Sequence, residues 1–323
     1  MWLAIAVTSY FVNAAVYVAD KFILSKKIHS SIVYAFYVGI WSIGNAFLLI
    51  FSPWVPTWPE LFIDLSAGLI FMATLVFWYK ALHQSEATRV VPIVGALIPI
   101  FSFLLSAIFL GESLSERQLL AFIILIIGGI LISIKNTRFY EVKAVVDRMK
   151  NIYGHTFGGV HAELQSTRRL FINSIISAFF FAAYYVLIKY IYTTQPFIGS
   201  FVWSRFGSFI GAMLILTVPA WRRLISGSKK QTAKTNNVIF FLFVRALAAG
   251  AFILLNYAIS LGNVALINSL QGVQYIFLIV IVLFLSSKFP KILKEELGGG
   301  VLMQKIIGAF LISLGLYMLI VVI

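Results

Sequence analysis

Long apolar runs, separated by short polar or basic connections, set the pattern of this chain. Ten runs of about 20 residues occur, at 2–24, 32–51, 61–82, 90–110, 119–134, 170–192, 197–218, 238–260, 265–285 and 306–322. As helices they are about long enough to cross roughly 30 Å of hydrocarbon. The pattern predicts an all-α polytopic membrane protein with ten transmembrane helices. The first run opens without a charged leader or a small-residue cleavage site, which predicts a retained helix rather than a signal peptide. The long connection opens with "FYEVKAVVDRMKNIYG", where Phe139, Val142, Val145, Val146, Met149, Ile152 and Tyr153 fall at helical spacing. That spacing predicts a basic amphipathic helix within residues 136–168, either a plain linker or a helix lying flat on the bilayer surface.

Across that connection the pattern repeats. "NAAVYVADKFIL" aligns without gaps on "FAAYYVLIKYIY", matching Ala14 with Ala182, Ala15 with Ala183, Tyr17 with Tyr185, Val18 with Val186, Lys21 with Lys189 and Ile23 with Ile191. Apolar bias alone does not place the tyrosine and the lysine. Near the ends of the two halves, Ala121 and Gly128 mirror Gly308 and Gly315. Residues 1–135 and 169–323 therefore read as two five-helix repeats. Because five is odd, the second copy enters the membrane from the opposite side, giving inverted repeats of the kind that build secondary transporters.

Composition agrees with this picture. Hydrophobic residues make up 61% and charged residues 11% of the 323, whereas soluble chains carry about a quarter charged residues. The formal net charge of +14 lies mainly in connections, where anionic lipid headgroups at the cytoplasmic face are the expected partner. No basic soluble domain is present to hold nucleic acid. The absence of cysteine excludes disulfides and thiolate metal sites. Twenty of the 25 lysines and arginines fall in odd-numbered connections, while "SPWVPTWPE" in the second carries none. The positive-inside rule then places both termini outside a cytoplasmic membrane.

Residues 90–118, "VVPIVGALIPIFSFLLSAIFLGESLSERQ", put Pro92, Gly95 and Pro99 into the first turns of the fourth run. A proline within a helix removes a hydrogen bond, and in hydrocarbon no water replaces it. A broken helix facing a cavity between the halves, opposite Gln271 to Tyr275, is expected. The wider segment 81–132 resembles the EamA-type signature of the drug/metabolite transporter superfamily: Ala-Leu, a polar turn, the two prolines, then Leu-Gly-Glu before a glycine-bearing helix. The second half keeps the layout without those prolines or the Leu-Gly-Glu. The resemblance implies a ten-helix carrier whose pathway lies among spans one, three, four, six, eight and nine, with both termini inside. The charges point the other way.

Neither the acids nor the four histidines lie mid-span, so no metal cluster, no cofactor and no enzymatic site is expected. The candidates for a substrate site are the polar and aromatic groups of the spans that the resemblance assigns to the cavity. They are Asn13 and Tyr17 in the first, Trp78 and Tyr79 in the third, and Pro92, Gly95 and Pro99 in the fourth. Tyr184 and Tyr185 follow in the sixth, and Arg245, Asn256 and Tyr257 in the eighth. In the ninth, Asn268, Gln271, Gln274 and Tyr275 recur every three or four residues, which puts them on one helical face. That face either lines the pathway or joins helices by hydrogen bonds. Arg245 either snorkels or lines the pathway, and in the second case the substrate is anionic. Arg205, in "SRFG", resembles the family's arginine near a helix start and reads as a snorkelling or loop-capping residue. Lys21 and Lys189 read as interfacial anchors. The expected function is transport, as export, of a small amphipathic metabolite by alternating access. Flipping of a lipid-linked intermediate, or a membrane enzyme or scaffold, are the alternatives, as a monomer or a homodimer.

Overall fold

The computed structural model of the chain describes residues 1–27, 30–84, 87–133, 157–228, 235–286 and 299–322. Every regular element among them is helical. Long helices are what such apolar runs must form, because in lipid each backbone N–H and C=O has to be satisfied within its own segment. The first half contains α1 (Trp2–Lys27), α2 (Ser31–Trp41), α3 (Trp58–Gln84), α4 (Ala87–Leu110) and α5 (Glu116–Ser133). The second contains α6 (Phe157–Thr194), α7 (Phe197–Ile215), the short α8 (Pro219–Ser228), α9 (Thr235–Leu261), α10 (Val264–Ser269), α11 (Gln271–Ser286) and α12 (Gly299–Val322). Seven spans among the described residues are long and apolar enough to cross a membrane. The protein is a multi-pass membrane protein, all-helical over the described residues.

Four local features differ from the sequence expectation. The second run is α-helical only to Trp41 and continues as a 3-10 helix over Ser42–Ile50, where Ser42, Gly44 and Asn45 are weak α-helix formers. The fourth helix is not broken: α4 runs continuously through Pro92 and Pro99. Neighbouring helices tolerate the missing hydrogen bonds there. The ninth run is interrupted instead, at Leu270, between α10 and α11. Helix α6 begins at Phe157, well before the apolar run, because its polar lead-in of Glu163, Gln165 and Arg168 suits a helix outside the hydrocarbon. The amphipathic helix expected from Phe139 to Tyr153 lies outside the described residues.

Packing follows a pairwise scheme. Helix α6 lies along α3 and α4, while α1 lies along α9 and α11; α5 packs on α12, and α7 on α2 and α3. The α3–α7 contact is backbone against backbone. A Cβ on Gly68 would run into the Ser204 carbonyl oxygen, and one on Gly207 into that of Leu65. At the α5–α12 contact, a Cβ on Gly128 would meet the Gly308 carbonyl at 2.9 Å, and one on Gly315 the Ala121 carbonyl at 3.3 Å. Small residues let helix backbones approach this closely, which is how membrane helices gain van der Waals contact without a hydrophobic driving force.

Candidate functional site

A buried polar cluster around Arg205 is built by helical spacing. Phe201 and Arg205 are four apart on α7, and Phe252 and Asn256 four apart on α9, so each pair shares a face. Tyr184 and Tyr192, two turns apart on α6, meet Asn256, and Phe71 comes from α3. Arg205 is the ninth residue of the 19-residue span Phe197–Ile215, roughly 12 Å from its start at 1.5 Å per residue. It is therefore near the middle of the span and only 3% exposed. The expectation that it snorkels is overturned, since its head points into a ring of aromatic side chains.

The guanidinium carbon lies 4.5 Å from the Phe71 ring centroid, 4.8 Å from that of Phe252, and 5.4 Å from those of Tyr184 and Phe201. Its Nη2 donates to the Tyr184 hydroxyl at 2.7 Å. That hydroxyl donates to Asn256 Oδ1 at 3.1 Å, and the Tyr192 hydroxyl donates to the same oxygen at 3.2 Å. Asn256 Nδ2 donates to the Phe252 carbonyl at 2.9 Å, which fixes the amide. Arg205 Nε is buried without a hydrogen-bond partner. Among the described residues no carboxylate forms an ion pair with Arg205. The fully buried Asp64 accepts instead from the Gln195 amide nitrogen at 3.0 and 3.1 Å, with that amide oriented to satisfy it. An unpaired buried charge costs several kcal/mol, while each desolvated cation–π contact returns up to about 2. The ring cage offsets much of the burial and leaves the charge's hydrogen-bonding edge underused.

The other sequence candidates fall into separate places. Trp78 stands edge-on to Phe181, and Tyr185 stacks on Phe181 beside Tyr184. Half-buried Arg245 faces the Tyr34 ring at 5.7 Å, and Tyr79 packs edge-on against that same ring. Asn13 donates to Ser9, whose hydroxyl in turn donates to the Ala251 carbonyl and ties α1 to α9. Tyr257 turns away from Asn256 to pack on Phe197. The side chains of Tyr17 and Pro92 lie outside those described.

The stripe on α10 and α11 faces α4. Asn268, 2% exposed, donates to Ser102 at 2.8 Å, which is the helix-joining role. The Tyr275 hydroxyl and Gln271 lie against Gly95, and Gln274 is half-buried on the same helix. Gly95, Pro99, Gly129, Ser269, Gly272 and Tyr275 enclose a crevice of about 10 Å³, room for one water at most. Gly95 and Pro99 thus stand beside Tyr275, with Gln271 against Gly95, in a packed contact and not the expected open cavity.

The Leu-Gly-Glu motif ends α4. Gly111 takes φ +65°, a conformation that glycine adopts freely, and Glu112 turns back to accept from Asn263 Nδ2 at 2.9 Å. Burial pushes the Glu112 carboxyl above its ordinary range, opposed by the Lys189 charge and by hydrogen bonds from the Val264 backbone and the Ser106 side chain. Lys189 Nζ donates to the Ser260 carbonyl at 3.1 Å. Motif and lysine together hold the α4 end to the α9–α10 turn.

Arg205, Phe71, Phe201, Phe252 and Tyr192 are the members of this cluster that sequence reasoning missed. The one available signal was depth: Arg205 is too far from either helix end for its side chain to reach the interface comfortably.

Comparison with known proteins agrees with this architecture. A solved crystal structure, described only as that of a protein, superposes with a TM-score of 0.62 at 16% identity, covering 98% of this chain and 94% of that one. At that identity the likeness is one of fold. Uncharacterized protein MJ1333.1 of Methanocaldococcus jannaschii is 38% identical over 72 residues, which are 22% of this chain and 51% of that protein. The chain thus spans about half the length of that relative. The EamA-like transporter family matches residues 1–134. Its members are membrane transporters, not enzymes. Residues 1–134 thus match the EamA-like transporter family, which is part of the drug/metabolite transporter superfamily.

Proposed function

We propose that the protein is a secondary transporter that exports a small amphipathic metabolite by alternating access, around a mid-membrane site between two inverted five-helix repeats. The observation that carries this reading is the Arg205 cluster, a charged and hydrogen-bonded group at mid-depth where α3 and α6 meet α7 and α9. Charge is expensive in hydrocarbon and marks a substrate or ion pathway by default.

The packing scheme supports the repeat. Exchanging α1 with α6, α3 with α9 and α4 with α10–α11 turns the α1–α9 contact into α6–α3, and α1–α11 into α6–α4. Under the same exchange, Gly128 against Gly308 becomes Gly315 against Ala121. Counting α2 with its 3-10 continuation as one crossing, α10 with α11 as another, and α8 as a surface helix gives ten crossings. In this reading α3, α4 and α6 rock as one bundle against α1, α9 and α11, and the seam between them opens alternately to either side. The charge bias favours a cytoplasmic membrane with both termini outside and basic connections against anionic lipid.

The test is flux in reconstituted vesicles, screened with labelled amphipathic acids, amines and neutral solutes in both directions. Transport of at least one class above protein-free vesicles is expected. No flux of any class in either direction would remove the reading.

A further inference from the structure

We propose that the Arg205 guanidinium is an anion subsite at the seam, and that the substrate is an organic anion, a carboxylate or phosphate ester carried on an apolar or aromatic body. The inference rests on the transport reading above and names the substrate class of that same site.

The donor inventory leads there. A guanidinium presents five N–H donors in a planar fork that matches two oxygens of a carboxylate or phosphate. Here Nη2 is spent on one neutral oxygen, that of Tyr184, and Nε is buried with no partner. The four surrounding rings hold the charge from their faces but supply no oxygen acceptor of their own in the plane of the fork, apart from that phenol. No carboxylate among the described residues competes for it. An incoming oxyanion is a stronger acceptor than a phenol and can take both Nε and an Nη. The Tyr184 oxygen then yields the guanidinium to the stronger acceptor, while Asn256 Oδ1 keeps its bond from Tyr192.

The walls set the rest of the ligand. Phe71, Phe201 and Phe252 present apolar faces around the charge, so the body beyond the oxyanion is apolar, and aromatic bodies stack best on such faces. An amine meets a like charge, and a neutral polar solute gains nothing from the fork. Position matters as well. The rings come from α3 and α6 on one side of the seam and from α9 on the other, so an anion held here touches both bundles that rock. Arg245 has a different setting, half-buried with its guanidinium carbon 5.7 Å from the Tyr34 ring centroid.

The experiment uses matched pairs on the purified full-length protein in detergent: phenylacetate against phenylacetamide, and benzyl phosphate against benzyl alcohol. Dissociation constants are read by calorimetry. The anion of a pair should bind roughly tenfold or more tighter than its neutral counterpart, the factor that one charged hydrogen bond supplies. Arg205→Gln should bring the pair to parity. The absence of any anion preference in the wild type, or its survival in Arg205→Gln, overturns the proposal. The wild-type comparison stands alone if that variant folds poorly. The same pairs in vesicles separate this claim from transport itself. Flux of the neutral members with no anion preference keeps the transporter and overturns the subsite, whereas anion binding without flux keeps the subsite and removes the transporter.

Discussion

Tyr184→Phe removes a single oxygen from the centre of the cluster and leaves its ring in place. That oxygen accepts from Arg205 at 2.7 Å and donates to Asn256 at 3.1 Å. The ring's contact with the guanidinium, 5.4 Å from the centroid, survives the change. A hydrogen bond to a charged group contributes about 1.5–3 kcal/mol, and a neutral bond between membrane helices about 0.6. The substitution should therefore cost about 2–4 kcal/mol. Tyr192→Phe makes the fair comparison, since the same oxygen of Asn256 loses one neutral bond at 3.2 Å and Arg205 is untouched. Its cost should be about 0.6 kcal/mol. Reversible unfolding of both variants in one mixed-micelle system reads the two losses directly. An equal or greater loss in Tyr192→Phe would refute the reasoning, because the Arg205 bond would then contribute nothing measurable.

Three further outcomes are expected. Gly68→Ala places a methyl group inside the Ser204 backbone, so it should cost at least the 1–3 kcal/mol or so typical of overpacking, read as loss of monodisperse protein after detergent extraction, while Gly250→Ala, with open space at its Cβ, should not. Burial holds the folded-state Glu112 carboxyl above its unfolded value, so the folded chain binds that proton more tightly and stability falls as pH rises from the ordinary 4.5 through the raised value. Glu112→Gln should flatten that decline in thermal midpoints, and an unchanged slope would assign it to another group. Tags at both termini should be reachable from outside intact cells, as the basic connections require; tags reachable only after permeabilisation would reverse the proposed orientation.

Apolar length was the most legible property of the sequence, because crossing hydrocarbon demands it whatever the tertiary structure. The positions of α3, α7 and α9 follow from it directly. Prolines were a poorer guide. Pro92 and Pro99 each lack a donor, yet α4 stays helical, and the interruption appears at Leu270, where neither the residue nor its immediate neighbours are proline or glycine. Breaking is decided by neighbours such as α4 beside α10, which a single sequence does not display. Asn268 on α10 and Gln271 and Tyr275 on α11 all meet α4, but whether a polar stripe meets lipid, cavity or another helix depends on its partner, which the sequence does not display. Arg205 illustrates the same limit. Its depth was countable, but the cage depends on Phe71, Tyr184 and Phe252 arriving from three other helices at the same height. Asn256 and Tyr184 are both substrate-site candidates from the sequence, and the structure joins them by a hydrogen bond.

Counterflow tests the central claim, alternating access through a single mid-membrane site, most directly. Vesicles holding the purified protein are loaded with an excess of the unlabelled solute found by the flux screen and diluted into a trace of the labelled form. A carrier whose site faces one side at a time exchanges outgoing for incoming solute, so label should accumulate transiently above its equilibrium level before decaying. Monotonic equilibration without an overshoot, at a flux clearly above protein-free vesicles, would contradict alternating access and require a continuous pore through the seam.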